Sequence, residues 1–574
     1  MTAPGTLSAA LVRAAGTSRG LVAIEHDGRS SRIGYNTLLD CALAGAATLA
    51  ALGLEPGERV ALVVPEVAPF VEAFFSILAA GLVPVPLAPP TQAGNVTAFG
   101  RHTGLLLSAS RASALVTTDD LAPLVGGVEC EPGAGPAVTN GRGGRMAQAA
   151  TQIVLVRSLS GHGTMPAPID VRPHQPGLIQ FTSGSTAAPK GVVLSHANLV
   201  ANVQAIAGPD GIAVAPNDVG VSWLPLYHDM GLIGMLLTAV YCGNDVVIMS
   251  PVHFLKRPTA WLEAISKYKG SVSFAPNFAY ELCLKRVKPS QIEALDLSTW
   301  RIAGCGAEPI RADTLLAFAD RFASAGFRAS SFVPSYGLAE HALAVTMARG
   351  GLRVDRADAM RLGRESVAVW AQNGTPAVQV VECGAPFPGH AVRIVDDAGR
   401  ELPERNVGRI MARGPSLMVG YFEDPEATAQ VLRDGWLDTG DLGYRANGSL
   451  FVCGRTKDVI IRHGRKYHPP DLESAIADVD GLRSSAVVVV GIARADDADE
   501  VVAVVEARAS AASDDVVDSV RRRVRETAGF ELDRVVVTPP GTIPRTTSGK
   551  VRRAEMRERL VAGTLLVAER EVPV

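Results

Sequence analysis

Apolar positions along the chain fall into two alternating patterns. Short β-branched runs, such as RVALVVP from Arg59 and ALVTTD from Ala114, alternate with stretches of helical spacing such as EAFFSILAAG at 72–81. This order predicts parallel sheets flanked by helices. Between about 124 and 170 the pattern lapses into Gly, Pro, Ala and polar residues (VGGVECEPGAGPAVTNGRGGRM), which predicts a long surface connection. Near residue 455, after GRTKDVIIRHGRKYHPP, it resumes as a compact unit of about 120 residues. That unit reads as helix DLESAIADVD, strands AVVVVGI and VVAVVEA, helix DDVVDSVRRRVRETAG and strand RVVVTPP. Leu472, Ile476 and Val479 recur at helical spacing, and Ser513 ahead of Asp514 and Asp515 marks a helix start.

Composition then narrows the possibilities. With 574 residues, 47% hydrophobic and 20% charged, the chain is globular and too long for one core, since single cores rarely grow past roughly 250 to 300 residues. Fifty-five Lys plus Arg against 58 Asp plus Glu leave a net charge of −3, so no bulk polycation is present to hold nucleic acid. Seven cysteines, an odd number and never spaced C-x-x-C, argue against a disulfide framework and a zinc ribbon. They fit a reducing compartment, and a cytoplasmic location is expected. The uncharged stretch at 73–100 is broken by Gly81, Pro84, Pro86, Pro89 and Pro90 after about ten helical residues, short of the roughly 17 that span a membrane. The N-terminus lacks a basic segment ahead of an unbroken apolar core, so no secretory signal is expected.

The strongest local signal is LIQFTSGSTAAPKGVVLSHANL at 178–199, where an apolar strand runs into a hydroxyl-rich loop and out into a second strand. Thr182, Ser183, Ser185 and Thr186 offer hydroxyl donors, Gly184 permits close backbone approach, and Lys190 adds a point charge. Together they suit a polyphosphate. The loop is not a Walker A motif, because Pro189 precedes the lysine and an apolar strand pattern follows it.

TSGSTAAPKG resembles the phosphate loop of the adenylate-forming superfamily, which includes acyl-CoA synthetases, luciferases and nonribosomal peptide adenylation domains. Five further motifs of that superfamily follow in order: GCGAEP (304–309), SYGLAEHALAV (335–345), WLDTGDLGY (436–444), GRTKD (454–458) and PRTTSGK (544–550). Within the superfamily, SWLPLYHDMGLIG (222–234), the stretch at 254–283 and IIRHGRKYHPPDLE (460–473) are most similar to fatty acyl-AMP ligases. Gly384 follows Glu340 by 44 positions. The surplus, around ARGGLRVDRADAMRLGRESVAV, sits where fatty acyl-AMP ligases carry an insertion associated with loss of coenzyme A use.

The resemblance implies a large N-terminal α/β domain (1–455) with a small β-rich subdomain, and a small mobile α+β C-terminal domain (456–574). It implies ATP and Mg²⁺ as cofactors and a fatty acid as substrate. The acyl acceptor it implies is an acyl carrier protein, or the carrier domain of a polyketide or nonribosomal peptide synthase. By motif position, Lys550 bridges carboxylate and α-phosphate, His228 lies near the carboxylate, and Glu340 holds the metal. Tyr336 stacks on adenine in a pocket with Gly306, Ala307, Glu308 and Gly337, while Asp441 and Arg455 take the ribose. Lys457 is the hinge. Met230, Leu232, Ile233, Phe274, Phe278 and Tyr280 come from segments that line the acyl pocket. The arginines at 521, 522, 523 and 525, and at 552, 553, 557 and 559, make the small domain locally basic, which reads first as a solvated helix face and second as a docking face for an acidic carrier protein. An acyl-CoA synthetase and a non-catalytic acyl-adenylate binding or docking module are the alternatives.

Overall fold

The structure is a computed structural model describing residues 3–90, 96–125, 151–160, 163–182, 189–462, 465–477, 479–494, 499–507, 513–546 and 550–565. The chain divides into two compact units. The first comprises Met1–Ala207, Val214–Lys256 and Ser416–Thr428, and the second Gly208–Ala213, Arg257–Pro415 and Ala429–Val574.

In the first unit, four parallel strands lie in the order Val83–Pro86, Arg59–Val63, Ala114–Thr117 and Gln152–Leu155. The last of these was not expected. It sits inside the polar stretch, and four residues (QIVL) beside a glycine-rich run give too short a pattern to read. The helix Val67–Ala79 buries Phe70, Phe74 and Phe75. A second sheet runs Ser30–Gly34, Gly20–Ile24, Asp245–Met249, Val219–Ser222. Gly20–Ile24 is buried at every position, whereas its antiparallel edge neighbour Ser30–Gly34 is polar and exposed, which discourages further pairing.

His196 opens the helix His196–Ala207 with 2% of its surface exposed, and its Nδ1 accepts the Leu7 N–H at 3.3 Å. Burial pushes its pKa down from 6.5 to about 4. Between those values the unfolded chain takes up a proton that the native chain refuses, so this stability is complete above about pH 6.5 and drains away toward pH 4. Thermal melts from pH 7 to 4.5 should therefore fall more steeply for the native protein than for His196→Gln; parallel curves would refute the assignment.

The second unit begins with parallel strands Val272–Ala275, Ile302–Cys305 and Phe332–Gly337, continued antiparallel by Ala344–Met347 and Ala385–Pro386. Against them packs a ring cluster of Trp261, Tyr280, Trp300, Phe318 and Phe332, with centroid separations of 5.0–6.5 Å. The expected β-rich piece is an antiparallel sheet that includes Ala391–Val395, Gly408–Arg413, Trp436–Ala446 and Ser449–Arg455.

The stretch associated with the insertion is folded. Strand Val354–Asp358 pairs with Ala377–Val381, and Asp358 caps the helix Ala359–Glu365 by accepting the Met360 and Arg361 N–H groups at 3.0 Å. Buried Asp355 accepts from Arg405 at 2.9 Å and from the Tyr444 hydroxyl at 2.7 Å, which fastens this piece to the antiparallel sheet.

The C-terminal strands Leu482–Ile492, Glu500–Ala507 and Arg534–Thr538 form a three-stranded sheet with the middle strand at its centre. Val489, Val501, Ala503 and Val505 face the helices Pro469–Ile476 and Ser513–Ala528, while Val488, Val490, Val502 and Val504 face the helix Arg553–Val561. Period-2 alternation puts each set on its own face, so nearly continuous valine buries the sheet on both sides. The chain is thus a mixed α/β protein with the expected αββαβ order at its C-terminal end.

Candidate active site

In the first unit, the strands Pro176–Thr182 and Lys190–Ser195 pair antiparallel, and Thr182 lies directly opposite Lys190. The hydroxyl-rich segment is the connection between them; Ser183, Gly184, Ser185 and Thr186 lie outside the described residues. The Lys190 ammonium sits 4.9 Å from the Tyr421 ring centroid, so the face of that ring positions it at the mouth of the hairpin. Behind the hairpin, Gln180 donates to the Tyr227 carbonyl at 2.8 Å, and the Tyr227 ring lies 5.1 Å from that of His228. Half-buried His228 precedes a π-helical segment, Met230–Leu237, capped by the Asp229 carboxylate on the Met230 N–H at 2.7 Å. Such segments recur at functional sites. Leu232 and Ile233 are wholly buried in it and Met230 is half-buried.

The second unit gathers the remaining charged candidates. Asp441 lies in Trp436–Ala446 directly opposite Arg455 of Ser449–Arg455. The turn between these strands holds Asn447 and Gly448 at φ of 52° and 79°, the left-handed pair that a two-residue hairpin demands and that an Asn-Gly dipeptide supplies. That turn sets the register near the hairpin, and an irregularity between Leu442 and Gly443 shifts it by one residue, which brings Asp441 opposite Arg455 with Nε 3.3 Å from Oδ1. The other carboxylate oxygen accepts the Tyr336 hydroxyl at 2.7 Å. Burial raises the Asp441 pKa, opposed by Arg455, by the tyrosine hydroxyl and by the charge of Lys550.

Glu308 behaves similarly. Its Oε1 accepts the Phe278 N–H at 2.7 Å, and burial raises its pKa while Arg545 and Lys550 pull the other way. The positive charge of Lys550 thus favours the ionised form of both carboxylates. Its main chain is held by described neighbours: the Thr546 N–H donates to the Lys550 carbonyl at 2.7 Å, the Lys550 N–H to the Thr546 hydroxyl at 3.0 Å, and the Arg552 N–H to the Pro544 carbonyl at 2.8 Å.

Backbone strain clusters in the same motifs. Ala307 and Ala342 hold φ of 69° and 59°, a region alanine rarely adopts and that active sites often retain. Gly306 and Gly337 are there for clearance, because a Cβ would come within 2.8 Å of the Ser335 carbonyl oxygen and 2.0 Å of the Leu343 one. Glu340 is half-buried on the short turn Ala339–His341. Lys457 is exposed on the turn Thr456–Asp458 that follows Arg455.

Two expectations change. Tyr280 is buried among rings and its hydroxyl donates to the Gly304 carbonyl at 2.8 Å, so it belongs to the sheet core rather than to an acyl channel. Phe274 is buried too, and Phe278 is half-buried. The C-terminal helix is less basic than its composition: Arg552 and Arg559 pair with Glu555, and Arg553 is buried. Sequence reasoning also missed Thr546 as the clamp on Lys550 and Glu308 as the acceptor for Phe278. A hydroxyl four residues before the lysine was the available signal for the first. Elsewhere in the unit, a cleft of about 470 Å³ lined by Asp210, Arg349, Arg353, Glu382, His390 and Ser449 contains none of the expected residues. Its arginines are paired with Asp210 and Glu382, leaving no surplus charge for a polyphosphate.

Comparison with known proteins agrees with the motif order. The AMP-binding enzyme family matches residues 11–422, and the pattern described as "Disco-interacting protein 2-like, AMP domain" matches 457–570. A Caulobacter vibrioides protein provisionally named an acyl-CoA synthetase is 39% identical over 92% of this chain and 90% of its own. The long-chain-fatty-acid–AMP ligase FadD26 of Mycobacterium marinum is 33% identical over 88% and 87%. The medium-chain-fatty-acid–[acyl-carrier-protein] ligase TtuA of Teredinibacter turnerae is 35% identical over 68% of this chain and 64% of its own. Among solved structures, one from a study of fatty acyl-adenylate ligases of E. coli and L. pneumophila superposes with a TM-score of 0.88 at 36% identity, covering 97% of this chain and 98% of that one. With six motifs in order, and with fold and sequence likeness over nearly its full length, the chain belongs to the AMP-binding family of adenylate-forming enzymes.

Proposed function

We propose that the protein activates a fatty acid with ATP and then passes the acyl group to the phosphopantetheine thiol of a carrier protein. A carboxylate oxygen attacks the α-phosphorus, the bond from that phosphorus to the bridging oxygen breaks, and pyrophosphate leaves with the electron pair. The acyl-adenylate then yields its acyl group to the thiol, releasing AMP and a proton. The obstacle is charge, because carboxylate and phosphate at ~4 Å repel by on the order of 4 kcal/mol at an effective dielectric near 20. The observation that carries the reading is the buried group in which Asp441 accepts the Tyr336 hydroxyl at 2.7 Å and meets Arg455 at 3.3 Å, since it gathers three residues matched to nucleoside binding. In-line phosphoryl transfer needs such placement and neutralisation more than it needs a base.

Glu340 suits Mg²⁺. A half-buried carboxylate suits an ion that takes most of its ligands from phosphates and water. Bound there, the ion would neutralise charge on the departing pyrophosphate. Tyr336 and Asp441 would hold the nucleoside, and Thr182, Lys190 and their loop the phosphates. His228 would stand near the carboxylate, Lys457 would serve as hinge between a domain of residues 1–455 and one of 456–574, and Met230 and Phe278 would present apolar surface to the chain. No helix among the described residues is long and apolar enough to cross a membrane.

Fatty-acid substrates are supported by the names of FadD26 and TtuA, and a carrier-protein acceptor by that of TtuA. The folded piece at 354–381 stands where the family's insertion is expected. The test supplies fatty acid, ATP and either coenzyme A or holo carrier protein. Pyrophosphate release with acyl transfer only to the carrier protein is expected. Efficient thioester formation with coenzyme A would make the protein an acyl-CoA synthetase, and absence of fatty-acid-dependent pyrophosphate release would leave only a binding module.

A further inference from the structure

We propose that Arg553 is a positioning residue that locks the Lys550 segment to the hinge, a role that rests on the adenylation reading above. Its side chain is 14% exposed. One guanidinium nitrogen donates to Asp458 at 2.9 Å, another to Glu473 at 2.6 Å, and Nε donates to the Val489 carbonyl at 3.2 Å. Glu473 in turn accepts the Val489 N–H at 2.9 Å, so both ends of one peptide-bearing residue in the sheet are held by this pair. Asp458 follows Lys457 in the turn Thr456–Asp458, and Arg553 follows Lys550 by three residues at the start of the last helix. The planar fork thus joins three pieces of chain distant in sequence: the hinge turn, the helix Pro469–Ile476 and the strand Leu482–Ile492.

The consequence is mechanical. Thr546 holds both the N–H and the carbonyl of Lys550, and Arg553, three residues on, is fixed to the residue that follows the hinge. Rotation at Lys457 therefore carries the ammonium as part of one body instead of leaving it to find its place by loop search. Displacement of a reacting group by about an ångström costs on the order of 10²-fold in rate.

Arg553→Met keeps bulk while removing the fork, and Asp458→Asn removes only the charge on the hinge side. Each is expected to lower kcat for fatty-acid-dependent pyrophosphate release by on the order of 10²-fold for the first and 10-fold for the second. KM for ATP and fatty acid, and acyl transfer from preformed acyl-adenylate, should be unaffected. Hydrogen exchange read by mass spectrometry provides an independent measure: peptides covering 544–553 and 455–460 should exchange faster in Arg553→Met, and one covering 500–507 should not. Unchanged exchange at 544–553, equal acceleration at 500–507, or equal loss in both half-reactions would overturn the proposal. A native chain releasing no pyrophosphate with any fatty acid would sink the assigned activity, while the exchange result would still decide the coupling.

Discussion

Replacing Lys550 with alanine is expected to slow acyl-adenylate formation by about 10²- to 10³-fold, the range seen when one preorganised charge-stabilising group is lost. The ammonium is the group whose field reaches both Asp441 and Glu308, and its backbone is pinned on both sides by Thr546. Truncation at Cβ leaves those main-chain bonds intact, so the loss should fall on the chemical step. Affinity for preformed acyl-adenylate, measured by calorimetry, should change far less, because the pentavalent charge is no longer there to be stabilised. A variant that released pyrophosphate at the native rate would refute the role.

Asp441→Ala is expected to raise the KM for ATP by about 10- to 100-fold, the equivalent of roughly 1.5–3 kcal/mol for a charge-assisted hydrogen bond. Two effects combine. The carboxylate that would take the ribose hydroxyls disappears, and the Tyr336 hydroxyl loses its acceptor at 2.7 Å. Asp441→Asn separates them, since an amide oxygen still accepts from Tyr336 while the negative charge is gone. If ribose recognition is the role, the asparagine variant should fall between native and alanine in KM while melting with the native protein. An unaltered KM in both would remove Asp441 from the nucleotide site.

Much of the architecture was legible because its signals are local. The valine runs of the C-terminal sheet announce strands covered on both faces, and the apolar strand before Thr182 and the one after Lys190 place these two residues across a hairpin. Motif order carried the family. The strand Gln152–Leu155 was hidden, since four residues cannot display a period. The candidate site was legible as a set of residues but not as a geometry. Asp441 meets Arg455 through an Asn-Gly turn that the sequence displays and a one-residue register shift between Leu442 and Gly443 that no local pattern announces. Arg553 was beyond reach: its carboxylates lie 95 and 80 positions earlier, and in sequence a buried ion-pair triad looks the same as an exposed basic helix. Tyr280 failed for a related reason, because an aromatic that lines a channel and one that fills a core share the same letter and the same spacing.

The attachment of Asp355 to Arg405 and Tyr444 bears on protein engineering. Cutting out residues 354–381 to imitate a shorter relative would strand a phenol and a guanidinium that this carboxylate now satisfies. Any such graft should therefore redesign positions 405 and 444 at the same time, exchanging the pair for apolar side chains of similar volume, or the shortened protein will pay in solubility before its acceptor preference can be tested.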